Sequence, residues 1–93
     1  MPAQIEQLAD VIIRGQEAVI GPLAWSEAGK VTGLQLDIPN HSVHVIGEAR
    51  QVLEALVKQY ERLFGPASRE VCKDAIRSLR AQVPEDQIPA VLK

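Results

Sequence analysis

The chain has 93 residues, with 46% hydrophobic and 24% charged side chains and a formal net charge of −2, which is typical of one globular domain and excludes a disordered chain. The three aromatic residues, Trp25, Tyr60 and Phe64, are too few for a platform that stacks single-stranded nucleic acid, so we expect no nucleic-acid binding. Cys72 is the only cysteine, which excludes an intrachain disulfide and favours a cytoplasmic location.

The N-terminal third is predicted to form two helices. Residues 3–19 have apolar side chains at three- and four-residue spacing, as in an amphipathic helix, and the chain opens with neither the basic nor the apolar region of a signal peptide. No apolar run is long enough to cross a membrane. Gly15 inside the first helix indicates close approach by another element. Gly21-Pro22 interrupts the pattern, because proline suits only the first turn of a helix, and a second helix is expected over 22–31.

The middle of the chain is predicted to form a β-hairpin. Leu34, Leu36 and Ile38 alternate with polar residues, which is typical of a half-buried strand. The Pro-Asn-His sequence at 39–41 is a turn signal, so residues 42–46 are expected to return as the second strand.

The C-terminal half is predicted to be helical. Residues 48–64 carry the widest apolar stripe, Gly65-Pro66 repeats the earlier interruption, and residues 67–82 form the next helix. Residues 84–92 are expected to form a last short helix, interrupted or bent at Pro89. Val19 and Leu23 on the N-terminal helices and Leu63 on the helix 48–64 lie on apolar stripes, so they are predicted to face the core.

Residues 1–93 are therefore predicted to be a single, mostly helical α+β domain in which two helix–Gly-Pro–helix units flank the hairpin. Residues 5–32 and 49–76 are similar at an offset of 44, and the identical positions are Gln7/Gln51, Glu17/Glu61 and Gly21-Pro22/Gly65-Pro66. An internal repeat explains this similarity, and so does chance, because any two amphipathic helices share an apolar stripe.

Charge differs between the two halves of the chain. Residues 1–48 carry two basic side chains against six carboxylates, a net charge of −4, whereas residues 49–93 carry eight basic against six acidic side chains, a net charge of +2. The two halves can attract each other within the chain or between two copies. Alternatively, the charged side chains simply lie on solvated helix faces.

The candidate catalytic and metal-binding motifs each lack residues or positions that their chemistry requires. Gly29-Lys30 resembles the end of a phosphate-binding loop, but the leading glycine is missing and Val31 replaces the required hydroxyl. His41, His44 and Cys72 are a candidate metal set, but strand residues three apart point to opposite faces and Cys72 falls on an apolar stripe. The apolar stripe also argues against an activated thiol. We therefore predict no metal, no cofactor and no catalytic residues.

A basic face is the main candidate for ligand binding. Arg69, Lys73, Arg77 and Arg80 recur at intervals of four, four and three residues, which aligns them on one side of the predicted helix 67–82. These four residues, which we call the basic face, could bind an anionic group or an acidic protein surface, or could simply be solvated. The acidic sequence pI of about 5.6 argues against DNA binding.

A short pattern lies in the C-terminal half. Residues 52–57 read VLEALV and residues 60–75 read YERLFGPASREVCKDA: an aliphatic helix, a Gly-Pro pair with a small residue after it, and an amphipathic helix ending near an alanine. This pattern resembles a helical accessory module on bacterial and archaeal signalling proteins, where it is a tail on response-regulator-like and kinase-like chains. The resemblance covers less than half of the chain, implies an accessory protein-interaction role and brings no catalytic residues.

The aliphatic side chains are numerous for so small a chain, and we expect a second copy or another protein to cover some of them. We therefore predict a small cytoplasmic protein-interaction or regulatory module, dimeric and without catalytic activity of its own. Aromatic residues dominate interface energetics, so the predicted contact anchors are Trp25, Leu56, Tyr60 and Phe64. The alternatives are a domain that binds an anionic ligand through the basic face, and an enzyme subunit whose active site another protein completes.

Overall fold

The structure is a computed structural model that describes residues 4–37, 39–40 and 42–92. Within these ranges the elements are α1 (Gln4–Ile20), α2 (Leu23–Ala28), β1 (Leu34–Asp37), β2 (Ser42–Val45), α3 (Ala49–Phe64), α4 (Ala67–Ile76) and 3₁₀ turns at Arg80–Gln82, Glu85–Gln87 and Ala90–Leu92. The predicted mostly helical α+β fold is confirmed. Ile38, predicted to end the first strand, and His41, predicted in the turn, lie outside the described residues.

The fourth helix is shorter than predicted. The apolar pattern predicted a helix over 67–82, but α4 ends at Ile76. Beyond it the chain continues in tighter turns, in which the Leu79 N–H donates to the Ile76 carbonyl at 2.9 Å, three residues back instead of four.

The predicted C-terminal helix is interrupted at Pro89, as expected, but neither of its two parts is α-helical. Residues 85–87 and 90–92 form two separate 3₁₀ turns. Pro89 stands between them and has no N–H to donate to an α-helical ladder, so the helix cannot run through it. Ile88 and Leu92 are nevertheless fully buried, so this segment closes one side of the core.

A Gly-Pro pair lies between α1 and α2 and another between α3 and α4, and we call Gly21-Pro22 the first corner and Gly65-Pro66 the second corner. Both glycines have positive φ, +72° in the first corner and +88° in the second, a conformation that glycine adopts without a side-chain clash. Each glycine N–H donates at 2.8 Å to the carbonyl four residues earlier, that of Glu17 or Glu61. Each proline then starts the next helix, with φ of −59° and −61°.

The hairpin packs against α1. β1 and β2 pair antiparallel, with Leu34 opposite Val45 and Leu36 opposite Val43. The carboxylate of Glu6 in α1 accepts a hydrogen bond from the Val45 N–H at 3.0 Å, which ties the hairpin to the first helix. A two-stranded sheet is marginal by itself in water, so this attachment stabilises it.

The core is mainly aliphatic and fills the space between the helices and the hairpin. The close approach predicted at Gly15 is confirmed, because a Cβ there would lie 3.0 Å from the Cβ of Ala75 in α4. Buried members of the core include Leu8, Ile12, Ile13, Trp25, Leu34, Val43, Leu53, Leu56, Tyr60, Cys72, Ile76, Ile88 and Leu92.

Candidate functional site

Two buried hydrogen bonds hold the corners close together. The Tyr60 hydroxyl on α3 donates to the Ala24 carbonyl in the first turn of α2 at 2.6 Å. The Gln16 amide on α1 donates to the Ser68 carbonyl in the first turn of α4 at 3.0 Å. All four residues are buried, so both hydrogen bonds are made away from water. The last turns of α1 are thus bound to the start of α4, and the last turns of α3 are bound to the start of α2.

Aliphatic side chains are exposed around both corners. Val19 is 66% exposed, and Leu23 and Leu63 are each 46% exposed, although all three were predicted to face the core. Ala67, the first residue of α4, is also exposed. We call Val19, Leu23, Leu63 and Ala67 the corner surface.

Helix geometry groups these residues in two pairs. Residues three apart share a helix face, so Leu63 lies on the side of α3 from which Tyr60 contacts the start of α2, where Leu23 is the first residue. By the same spacing Val19 follows Gln16 on the side of α1 that contacts the start of α4. The corner surface therefore lies where the ends of α1 and α3 meet the starts of α4 and α2.

The two corners differ in how their acidic residue is paired. Glu61, four residues before the glycine of the second corner, forms an ion pair with Arg69 at 2.6 Å. Glu17 holds the same position before the first corner, but Trp25 stands where the second corner has Arg69. The half-buried carboxylate of Glu17 therefore has no hydrogen-bond or ion-pair partner among the described residues.

Arg62, next to Leu63, is an exposed cation without a carboxylate partner among the described residues. Its guanidinium donates to the Gln59 amide oxygen at 2.8 Å. Hydrogen bonds from Lys30 and Gln59 lower the pKa of the Glu27 carboxyl, and the charge of Arg62 adds a smaller effect. Glu27 is bound by Lys30 at 3.0 Å and Gln59 at 2.9 Å, which leaves Arg62 able to pair with a carboxylate from outside the chain.

Cys72 is a core residue, as its place on an apolar stripe predicted. It is fully buried, and the Gln16 amide lies 3.3 Å from its sulfur. Burial raises the pKa of the Cys72 thiol to about 11. The thiol is therefore protonated at neutral pH and is a poor nucleophile.

The basic face is not the continuous helix face that its spacing predicted. Because α4 ends at Ile76, Arg77 and Arg80 lie beyond the helix that carries Arg69 and Lys73. Each of the four cations lies near a carboxylate: Arg69 at 2.6 Å from Glu61, Lys73 at 3.6 Å from Glu70, Arg77 at 2.7 Å from Asp74 and Arg80 at 3.8 Å from Glu85. These pairs weaken the positive field that an anionic ligand would meet.

Three of the four predicted contact anchors lie in the core instead. Leu56 and Tyr60 have no exposed surface and Trp25 is 3% exposed, so in this fold they offer no surface to a partner. Phe64 is half-buried beside the second corner. The guanidinium of Arg14 lies 5.9 Å from the centre of the Trp25 ring, which covers part of the indole from within the chain.

A shallow depression of about 330 Å³ lies beside the hairpin, lined by Thr32, Gly33, Ile46, Gly47, Glu48, Gln51 and Val52. The one carboxylate in this lining, Glu48, already caps α3 by accepting the Gln51 N–H at 2.9 Å. In the described part of the chain, no three His, Cys, Asp or Glu side chains are grouped to hold a metal ion. The depression therefore offers no free charged group to orient a ligand.

No helix among residues 4–37, 39–40 and 42–92 has both the length and the apolar character needed to cross a membrane.

The comparisons with known proteins identify no family for the chain. Protein-family models, curated proteins and solved structures give no match to the chain. The resemblance of residues 52–75 to an accessory module of signalling proteins therefore stays a prediction.

Proposed function

We propose that the chain is a small cytoplasmic protein-interaction or regulatory module, without catalytic activity of its own, that binds its partner through the corner surface. The observation that carries this proposal is the exposure of three aliphatic side chains near the two corners, Val19, Leu23 and Leu63, which are 46–66% exposed. Grouped apolar side chains on a surface mark sites where proteins bind other proteins. Glu17 and Arg62, which are near Val19 and Leu63 in sequence, could supply charged groups of the kind found at the rim of such interfaces.

An internal repeat, residues 5–32 and 49–76, is part of this proposal, and reciprocal contacts support it. At the offset of 44, Gln16 corresponds to Tyr60 and Ala24 to Ser68. The two buried hydrogen bonds exchange these partners, because each first helix donates to the second helix of the other unit. An exchange of this kind is what a two-fold relation between the units produces.

Surface features follow the same offset. The ion pair of Arg14 with Asp10 at 2.9 Å corresponds to that of Lys58 with Glu54 at 2.9 Å. The exposed Val19 and Leu63 also correspond, as do Leu23 and Ala67. We therefore propose that an approximate two-fold axis passes near the corner surface, so that both units contribute equally to it.

Photo-crosslinking in cells tests the interaction function. With a photoreactive amino acid in place of Leu63, irradiation of cells that produce the full chain is expected to give one discrete crosslinked product, identified by mass spectrometry. The control places the same amino acid at Ala81, which is exposed in the 3₁₀ turn beyond the far end of α4. Products from position 81 alone, or from neither position, would contradict the proposal, as would catalytic turnover by the purified chain.

A further inference from the structure

We infer that the partner at the corner surface is a second copy of this chain, bound so that the first corner of each copy faces the second corner of the other. The inference rests on the proposed interaction function and names the partner. It follows from the charged side chains near the two corners, Glu17 and Arg62, and from the exposed aliphatic side chains of the corner surface.

Among the described residues, the first corner has an unpaired acidic residue, Glu17, and the second corner has a basic residue without a carboxylate partner, Arg62. In a symmetric pair every contact occurs twice, so Glu17 of one copy meets Arg62 of the second copy on both sides of the axis. The opposite arrangement would place Glu17 against Glu17, and like charges across an interface are repelled.

The net charges of the two halves favour the same arrangement. Residues 1–48, which contain the first corner, carry a net charge of −4, and residues 49–93, which contain the second corner, carry +2. A pairing of first corner with second corner brings the acidic half of one copy to the basic half of the other, twice.

The apolar groups complete the contact. Val19 and Leu23 of one copy would cover Leu63 and Ala67 of the other, which removes exposed aliphatic surface from water on both sides. Because these residues correspond at the offset of 44, each corner presents a surface of similar layout to its opposite.

Light scattering over a dilution series tests the inference. The wild-type chain of 10.2 kDa is expected to show about twice that mass when concentrated and to return to 10.2 kDa on dilution. In high salt the pair should already dissociate at a higher protein concentration, because salt screens the charges between the copies. Leu63→Asp is expected to stay at 10.2 kDa throughout, whereas the matched control Ala81→Asp should follow the wild type.

Charge reversal tests which corner faces which. Glu17→Arg places two cations in each contact and Arg62→Glu places two carboxylates there, so each variant alone is expected to be monomeric. An equimolar mixture of the two variants restores opposite charges in both contacts of a mixed pair, and the doubled mass is expected to return. Recovery on mixing also shows that neither variant is merely unfolded.

Three results would overturn the inference: a wild-type mass of 10.2 kDa at every concentration, a Leu63→Asp variant that associates like the wild type, or a mixture of the charge variants that stays monomeric. A monomeric wild type together with a crosslink from position 63 to a different protein would reject the second copy but keep the interaction function. A monomeric wild type with no crosslink would reject both.

Discussion

Replacing Leu56 by aspartate is expected to abolish the folded state at room temperature. Leu56 lies in the middle of α3 and has no exposed surface. Truncating a buried leucine costs about 2–5 kcal/mol, and burying a carboxylate without a partner costs several kcal/mol more. A small domain is stable by only about 5–15 kcal/mol in total, so little or none of that stability would remain.

Circular dichroism during heating measures this loss. Leu56→Asp is expected to show no cooperative transition, whereas Ala55→Asp, at the neighbouring exposed position of the same helix, should melt close to the wild type. If both variants melt alike, the face of α3 that is buried has been assigned wrongly.

The second large effect is expected from Gly33→Ala, which should detach the hairpin. Gly33 has φ of +94°, and its carbonyl accepts the Ile46 N–H at 2.7 Å. An added Cβ would lie 2.6 Å from Cγ2 of Val52 and 2.9 Å from the backbone oxygen of Ile46. The left-handed conformation alone costs an L-residue about 1–2 kcal/mol, and the backbone clash brings the expected loss to about 3 kcal/mol or more.

Gly47→Ala is the matched control for this prediction. Gly47 has φ of +109°, but no atom beyond its chain neighbours lies within 4 Å of the position that its Cβ would take. Its loss in urea denaturation should therefore be limited to the conformational cost. Equal losses for the two variants would mean that the contact of Gly33 with the hairpin and α3 is absent.

The sequence predicted the elements best where the apolar period is long and clear. The stripes of α1 and α3 and the alternation of β1 gave the right elements, because burial of one face selects those periods. The end of α4 was missed because Leu79 continues the apolar spacing past Ile76, and that spacing does not distinguish an α-helix from tighter turns.

The corner surface was missed for a related reason. Periodicity identifies the apolar side of a helix but not how far along the helix a neighbour covers it. Val19 and Leu63 lie on predicted core stripes, yet each is exposed and is only two residues from a corner glycine. Each comes three residues after the side chain, Gln16 or Tyr60, that contacts the neighbouring helix. Their equal distance from the two Gly-Pro pairs was the available signal.

The predicted anchors and the basic face depended on contacts that are distant in sequence. Aromatic size indicated that Tyr60 matters, but only the fold shows its hydroxyl bound to the Ala24 carbonyl inside the core. Spacing within one helix likewise cannot show that Arg69 pairs with Glu61 from the preceding helix.

Amide hydrogen exchange of the wild-type chain at two concentrations tests the central claim, that both corners form a single interface, most directly. Higher concentration is expected to slow exchange in residues 17–23 and 61–67 together, while exchange in the hairpin strands, 34–37 and 42–45, does not change. Slowing at only one corner, slowing in the hairpin, or no dependence on concentration would contradict it.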